Sequence, residues 1–271
     1  MHRIDSFGAP LFVSWQLTRD CDLACVHCCT DSAPGKRLAD ELDADEAMQV
    51  AGDIARSAVP YVMLCGGEPL VVPHFFAIAE ALGHAGVKLK VETNGQQLDA
   101  SVARRLARLP IRSIQVSLDG DTQEVYGRQR AGASLAKAHD ACRAIRDAGL
   151  PLEITFAPTR LNLHEAEAVI ARARELGAFR WNSGKLMRLG TAARHWAELT
   201  PARRSIANSV KCSRARSSLL NPPSNCATFR GVSRTGFGLP WWNHPRRCWC
   251  FPTGGSRWRQ RFRAFARTCG A

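Results

Sequence analysis

Three cysteines near the N-terminus, Cys21, Cys25 and Cys28, stand at CxxxCxxC spacing in the run RDCDLACVHC. Thiolates so close together can hold three corners of a [4Fe-4S] cluster, whereas electron-carrier ferredoxins supply a fourth cysteine at other spacings. A cluster with three protein ligands leaves one iron open, and an open iron can coordinate a substrate. A zinc knuckle and thiols without a metal are the alternatives for the same residues, since zinc also binds closely spaced cysteines.

The segments around these cysteines follow a repeating pattern. From residue 11 to about 190, short β-branched runs alternate with amphipathic stretches, which predicts βα units on a parallel sheet. Six strands are predicted, in the runs LFVSWQL, YVMLC, VKLKVET, IRSIQVSL, LEITFAP and FRWNSGKLM. The predicted fold class is therefore α/β, a partial (β/α)6 TIM-like barrel with parallel strands.

Apolar residues at helical spacing occupy the gaps between these runs. The first predicted helix lies behind Asp43 and Glu46, which form a candidate capping pair. Gly149 and Gly177 stand where helix C-caps are expected. Further helices are predicted over residues 98–106, 135–145 and 166–176.

Polar motifs follow the predicted strands at their C-terminal ends. The cysteine loop follows the first strand, GGEP (66–69) the second, ETNG (92–95) the third and SLDG (117–120) the fourth. In barrels of parallel strands, functional groups gather at the C-terminal ends. We therefore expect all four motifs to share one rim.

With these motifs the chain resembles the radical S-adenosylmethionine (SAM) superfamily over about residues 10–190. The resemblance identifies Cys21, Cys25 and Cys28 as ligands of a [4Fe-4S] cluster. GGEP is similar to the motif that contacts the methionine amino group of SAM. The cofactor contacts that the resemblance implies are therefore Gly66, Gly67, Glu68, Pro69, Asn94, Ser117, Asp119 and Arg130.

Each of these positions has an implied role. Asn94, Ser117 and Asp119 match segments that approach the ribose and the rest of the nucleoside. Arg130 resembles the arginine that pairs with the SAM carboxylate, and Arg128 is a close competitor for that role. The sequence identifies no catalytic acid or base on the substrate side.

The resemblance also implies an activity. An external one-electron donor would reduce the cluster, and reductive cleavage of SAM would give methionine and a 5′-deoxyadenosyl radical. Iron–sulfur potentials span about −700 to +450 mV, and a sulfonium is hard to reduce, so this cluster should lie near the low end. The cofactors carry the chemistry, while the protein orients them and excludes water.

The substrate is less closely defined. The run FVSWQLTRDCDLACVHC, with the later motifs, is similar to the branch that contains the pyrroloquinoline-quinone peptide cyclase, sulfatase-maturating enzymes and heme-modifying relatives. In that branch a C-terminal SPASM or twitch domain usually binds auxiliary clusters. The resemblance favours modification of a peptide or cofactor precursor, with a heme or other tetrapyrrole as the alternative.

Composition favours a globular cytoplasmic protein. The chain has 271 residues, of which 45% are hydrophobic, and it shows neither an export signal nor an apolar run long enough for a membrane span. Its 11 cysteines cluster at metal-ligand spacing, which favours a reducing compartment over a secreted disulfide framework.

The charge of +13 comes from the C-terminal tail. Residues 201–271 hold 14 Lys and Arg and no Asp or Glu, whereas residues 1–200 hold 23 basic and 24 acidic residues. We divide the chain into a core domain, 1–198, and a basic tail, 199–271, for which we predict disorder because no apolar periodicity survives there.

Three interpretations of the tail remain open. It could bind nucleic acid in a non-enzymatic iron–sulfur or zinc module, although the core motifs do not favour that class. Its cysteines could hold auxiliary clusters. The third interpretation is a shift of the coding frame near residue 200, which accounts for the absence of acidic residues.

Overall fold

The computed structural model describes residues 10–201 and 249–251. Strands in this part of the chain are β1 (Val13–Gln16), β2 (Ala24–Cys25), β3 (Tyr61–Cys65), β4 (Lys88–Thr93), β5 (Ile111–Ser117), β6 (Arg130–Ala131), β7 (Leu152–Phe156), β8 (Arg180–Ser183) and β9 (Trp249–Phe251). Helices are α1 (Ala44–Arg56), α2 (Phe75–His84), α3 (Ala100–Leu106), α4 (Gln123–Gln129), α5 (Leu135–Asp147), α6 (Ala166–Glu175), α7 (Gly190–Arg194) and α8 (Trp196–Leu199).

The main sheet contains all strands except β2 and β6. Its order is β8-β7-β5-β4-β3-β1-β9, and every neighbouring pair is parallel. The six predicted strands correspond to β1, β3, β4, β5, β7 and β8, and each lies beside the one before it in the chain. This succession of βα units confirms the predicted α/β partial barrel. Among the described residues, β8 and β9 form the two edges of the sheet.

Helix α1 begins as its sequence predicts. The Asp43 side chain accepts a hydrogen bond from the Glu46 backbone N–H, and the Glu46 side chain accepts one from the Asp43 N–H, which completes a capping box. Gly149 and Gly177, which follow α5 and α6, have φ values of +70° and +81°. These are left-handed conformations that favour glycine after a helix.

The two faces of the sheet differ in polarity. Alternate residues such as Val62, Leu64, Leu89 and Val91 are fully buried in a hydrophobic core with the apolar sides of the helices. The opposite face carries a polar network of five side chains that spans four strands: Lys90, Glu92, Gln115, Glu153 and Asn182. We call these five residues the polar face. None of the described helices is long and apolar enough to cross a membrane.

The strand β9 was not predicted. It runs parallel to β1, with Val13 opposite Trp249 and Trp15 opposite Phe251. These three residues of the predicted tail are thus described as a strand. The rest of the tail, 202–248 and 252–271, lies outside the described residues, so its predicted disorder and the frameshift hypothesis stay predictions.

Candidate functional site

The cysteine loop follows β1 and carries three sulfurs that accept hydrogen bonds. The backbone N–H of Leu23 donates to Cys21 Sγ at 3.4 Å, and that of Ser32 donates to Cys28 Sγ at 3.3 Å. Cys25 lies on β2, and none of the three cysteines forms a disulfide. Three available thiols with N–H donors beside their sulfurs form a donor set that fits an iron–sulfur cluster.

Burial favours the protonated thiol at two of the three cysteines when no metal is bound. It raises the pKa of Cys21 to about 12 and that of Cys25 to about 11. Metal binding must therefore displace a proton from each of these two thiols. In the described part of the chain, no three Cys, His, Asp or Glu side chains converge on a point where a single metal ion could sit.

The GGEP loop lies directly against the start of the cysteine loop. Gly67 N–H donates to the Thr18 carbonyl at 2.7 Å, and Glu68 N–H donates to the Asp20 carbonyl at 3.0 Å. A Cβ at Gly67 would stand 2.0 Å from the Asp20 carbonyl oxygen, and one at Gly66 would stand 3.0 Å from that of Thr18. Glycine is required here because the two backbones touch.

The Glu68 carboxylate joins the GGEP loop to the ETNG loop. It is fully buried and accepts hydrogen bonds from Thr93 Oγ1 at 2.8 Å, Asn94 N–H at 2.8 Å and Leu70 N–H at 3.2 Å. Burial raises its pKa to about 7. Pro69, also buried, begins a 3-10 turn. Protein donors thus surround the acid of this motif and fix the positions of two loops.

Asn94 reaches the cysteine loop from β4. Its Nδ2 donates to Asp22 Oδ1 at 2.6 Å and lies 3.8 Å from Cys21 Sγ. Asp22 also accepts a hydrogen bond from Gln97 Nε2 at 2.9 Å. Asp22 belongs to none of the predicted motifs, although its place next to Cys21 was a possible signal.

Asp119 and Arg130 meet in a buried ion pair. Arg130 Nε donates to Asp119 Oδ2 at 2.6 Å, and His27 Nε2 lies 3.2 Å from the same oxygen. Asp119 Oδ1 accepts a hydrogen bond from Ala157 N–H at 2.6 Å, so both oxygens are engaged and the side chain is 0% exposed. Burial alone would raise the pKa of Asp119, but the charge of Arg130 holds it well below its usual range.

Ser117 and Arg128, the competitor of Arg130, lie apart from the Asp119–Arg130 ion pair. Ser117 ends β5, half-buried, and its carbonyl accepts a hydrogen bond from Tyr126 Oη at 3.2 Å. Arg128 is exposed on α4, whereas Arg130 is buried on β6. The structure thus brings Arg130, and not Arg128, to the cysteine loop.

Helix α7, which follows β8, supports the last cysteine. Ala192 N–H donates to the Cys28 carbonyl at 3.2 Å. A Cβ at Gly190 would stand 2.7 Å from that same oxygen. Asp31, three residues after Cys28, forms ion pairs with Arg194 of α7 and with Arg19. No local sequence pattern indicated this support, since the partners lie about 160 residues apart.

Comparison with known proteins assigns the chain to a family. The model of the radical SAM superfamily matches residues 15–175, more than half of the chain. The mycofactocin maturase MftC of Mycobacterium ulcerans (strain Agy99) is 36% identical over 194 residues, which are 71% of this chain and 52% of that relative. The AdoMet-dependent heme synthase of Methanosarcina barkeri (strain Fusaro / DSM 804) is 33% identical over 175 residues, 63% of this chain and 49% of that relative.

The chain spans about half the length of these curated relatives. Among solved structures, that of Streptococcus suis SuiB bound to the precursor peptide SuiA is similar to this chain. The superposition includes 77% of this chain and 47% of SuiB, with a TM-score of 0.64 and 16% sequence identity. At that identity the likeness concerns the fold alone. The family match includes the cysteine triplet and the motifs at the ends of β3, β4 and β5, and the chain therefore belongs to the radical SAM superfamily.

Proposed function

We propose that this chain binds a [4Fe-4S] cluster through Cys21, Cys25 and Cys28, binds SAM at the open iron, and starts the radical modification of a peptide. The observation that carries the proposal is the position of three hydrogen-bonded thiols at the rim, directly beside the GGEP and ETNG loops. When bound, the reduced cluster and SAM supply a 5′-deoxyadenosyl radical, which abstracts hydrogen from the substrate. An external one-electron donor provides the electron.

The residues of the rim would divide into two groups. The backbone of Gly66 and Gly67, the end of the loop at Pro69, and the polar groups of Asn94 and Ser117 would face SAM. The carboxylates of Glu68 and Asp119 would act by positioning, because each is 0% exposed and enclosed by protein donors. Burial of these two acids would keep the neighbouring loops in place when SAM enters.

Arg130 would contact SAM from strand β6. Its Nε bonds to Asp119 and its Nη1 lies 3.7 Å from Cys25 Sγ, so Nη2 is the nitrogen that would pair with the SAM carboxylate. An arginine fork can make such a pair while it keeps its other bonds.

A peptide is the proposed substrate class. A mycofactocin maturase is 36% identical to this chain, and the fold is similar to that of SuiB, which was solved with its precursor peptide. The heme synthase, 33% identical, supports a tetrapyrrole as the second candidate. The family match favours either enzymatic function over a zinc or iron–sulfur module that binds nucleic acid through the tail.

The first test is anaerobic reconstitution with iron and sulfide. We expect about four irons per chain, and 5′-deoxyadenosine after addition of dithionite and SAM. Alanine at Cys21, Cys25 or Cys28 should abolish both results. The matched control is Cys142→Ala, which removes a buried thiol on α5 and should keep the iron. Cluster-loaded protein that releases no 5′-deoxyadenosine would contradict the proposal.

The second test identifies the substrate class. Deuterated peptides and a deuterated tetrapyrrole are supplied in separate reactions, and 5′-deoxyadenosine is analysed by mass spectrometry. Deuterium should enter the nucleoside from the peptide, since the radical takes hydrogen from its substrate. Transfer from the tetrapyrrole alone would instead establish the second candidate.

A further inference from the structure

Arg130 makes a contact that its proposed role toward SAM does not require. Strands β2 and β6 form a two-stranded antiparallel ribbon in which Cys25 lies opposite Arg130. Within this ribbon, Arg130 Nη1 points to Cys25 Sγ at 3.7 Å. Both residues are buried, and Arg130 is only 8% exposed. A permanent cation is thus fixed beside one sulfur of the cysteine loop.

The position of this cation is tightly constrained. Asp119 accepts the hydrogen bond from Arg130 Nε at 2.6 Å and is itself held by Ala157 N–H and His27. Because a guanidinium is planar, a bond at Nε fixes the direction of its other nitrogens. Asp119 therefore aims Nη1 of Arg130 at the sulfur.

We propose that Arg130, through the contact of its Nη1 with Cys25 Sγ, raises the reduction potential of the cluster. The inference deepens the proposed function and rests on it, because it requires the cluster. Reduction adds one negative charge to the cluster, and a nearby fixed cation stabilises the reduced form more than the oxidised form. Burial leaves this interaction weakly screened by solvent and salt. Hydrogen bonds to cluster sulfurs and local charge are known to set such potentials.

The counter-charge does not stand between Arg130 and the sulfur. Asp119 Oδ2 bonds to Nε of Arg130, whereas Nη1 is the nitrogen that donates to Cys25 Sγ at 3.7 Å. The charged group in direct contact with the sulfur is therefore the positive one.

The experiment compares three variants with the parent chain after anaerobic reconstitution. The midpoint potential of the cluster is measured by a redox titration followed by electron paramagnetic resonance, without SAM. Arg130→Gln should shift the potential to more negative values, and Arg130→Lys, which keeps the charge, should recover most of that shift. Arg128→Gln removes an exposed arginine two residues away and should leave the potential unchanged. A loaded Arg130→Gln cluster with the parent potential would overturn the inference.

A second measurement separates this role from the pairing with SAM. SAM is titrated into each reduced variant, and its affinity is taken from the change in the resonance spectrum. If Arg130→Gln weakens SAM binding at an unchanged potential, the arginine acts on SAM alone and the inference is wrong. If the parent chain itself takes up no cluster, the failure lies in the proposed function.

A further variant, for which we expect a shift of the midpoint potential in the opposite direction, tests the inference if Arg130→Gln takes up no cluster. Asp119→Asn removes the counter-charge but leaves an acceptor oxygen for Arg130. With less negative charge near the cluster, the midpoint potential should shift to more positive values. An unchanged or more negative potential in Asp119→Asn would overturn the inference.

Discussion

Replacing Gly190 with alanine should destabilise the protein at the cysteine loop. The added Cβ would stand 2.6 Å from Asp31 N, 2.7 Å from Cys28 O and 2.8 Å from Cys29 C. All three are backbone atoms, so no flexible side chain can move to make room. Gly190 also has a φ of +54°, where an L-residue is strained.

The expected loss follows from these two effects. The left-handed conformation costs about 1–2 kcal/mol, and overpacking against backbone costs about 1–3 kcal/mol. The free energy of unfolding should therefore fall by about 2–5 kcal/mol. Gly149→Ala is the matched control, because Gly149 has a φ of +70° and nothing within 4 Å of the added Cβ. It should show the conformational cost of about 1–2 kcal/mol alone.

The assay is urea unfolding of both variants without the cluster, followed by iron analysis after reconstitution. The short helix α7 could also relieve the overlap by detaching, which would limit the loss of global stability. In that case Cys28 loses its support, and Gly190→Ala should retain less iron than Gly149→Ala. Equal stability and equal iron content in the two variants would refute the reasoning.

Three further predictions concern charges. Hydrogen bonding to Arg194 is the main cause that lowers the pKa of Asp31 to about 2, from 3.8. The ionised Asp31 carboxylate should stabilise the fold fully above pH 3.8, and this contribution should disappear as pH falls toward 2. In acid unfolding of cluster-free protein, the stability of the parent should therefore fall more steeply with pH than that of Asp31→Asn. Lys90→Met removes the ammonium group that lies 3.2 Å from the Glu153 carboxylate, which is only 4% exposed. The free energy of unfolding, measured in urea, should fall by about 2–4 kcal/mol. The double variant Lys90→Met/Glu153→Met should recover most of that loss. Burial raises the pKa of Glu68 from 4.5 to about 7. The folded state therefore holds a proton that the unfolded state has lost, and the free energy of unfolding should fall as pH rises from 4.5 to about 7. Glu68→Gln should lack this pH dependence, and its free energy of unfolding should be lower by about 1–3 kcal/mol because its amide group meets N–H donors.

Most of the barrel could be predicted from local patterns. The capping box at Asp43 and Glu46 and the glycines after α5 and α6 act within a few residues, so the sequence shows them directly. Helix α2 was missed although its buried residues Phe75, Ile78, Ala79 and Leu82 recur at helical spacing, because the run FFAIAEALGH has few polar residues to mark its exposed face. Helix α4 is as short as α3, but its run QEVYGRQ contains Gly127 and only two apolar residues, which are adjacent, so it shows no helical period.

The rim was predictable, but the partners of its side chains were not. Parallel strands end at one edge, so motifs that follow β3, β4 and β5 had to lie together. Whether a motif residue faces a ligand or another loop depends on distances of a few ångströms between loops. Glu68 and Asp119, both predicted as cofactor contacts, are enclosed by Thr93 and Arg130 in the structure. The spacing of residues in the sequence does not show whether a side chain faces a ligand or another loop.

Each cysteine of the triplet is supported by a different part of the chain. Asn94, after β4, reaches Cys21; Arg130, on β6, reaches Cys25; and α7 donates a backbone hydrogen bond to Cys28. The three supports share no residue, so a change at one should alter the environment of one sulfur before it affects the others. Two of them lie inside the sequence of βα units, but α7 follows the last of these strands. The barrel strands alone therefore do not complete the cysteine loop, which also depends on the segment that follows β8.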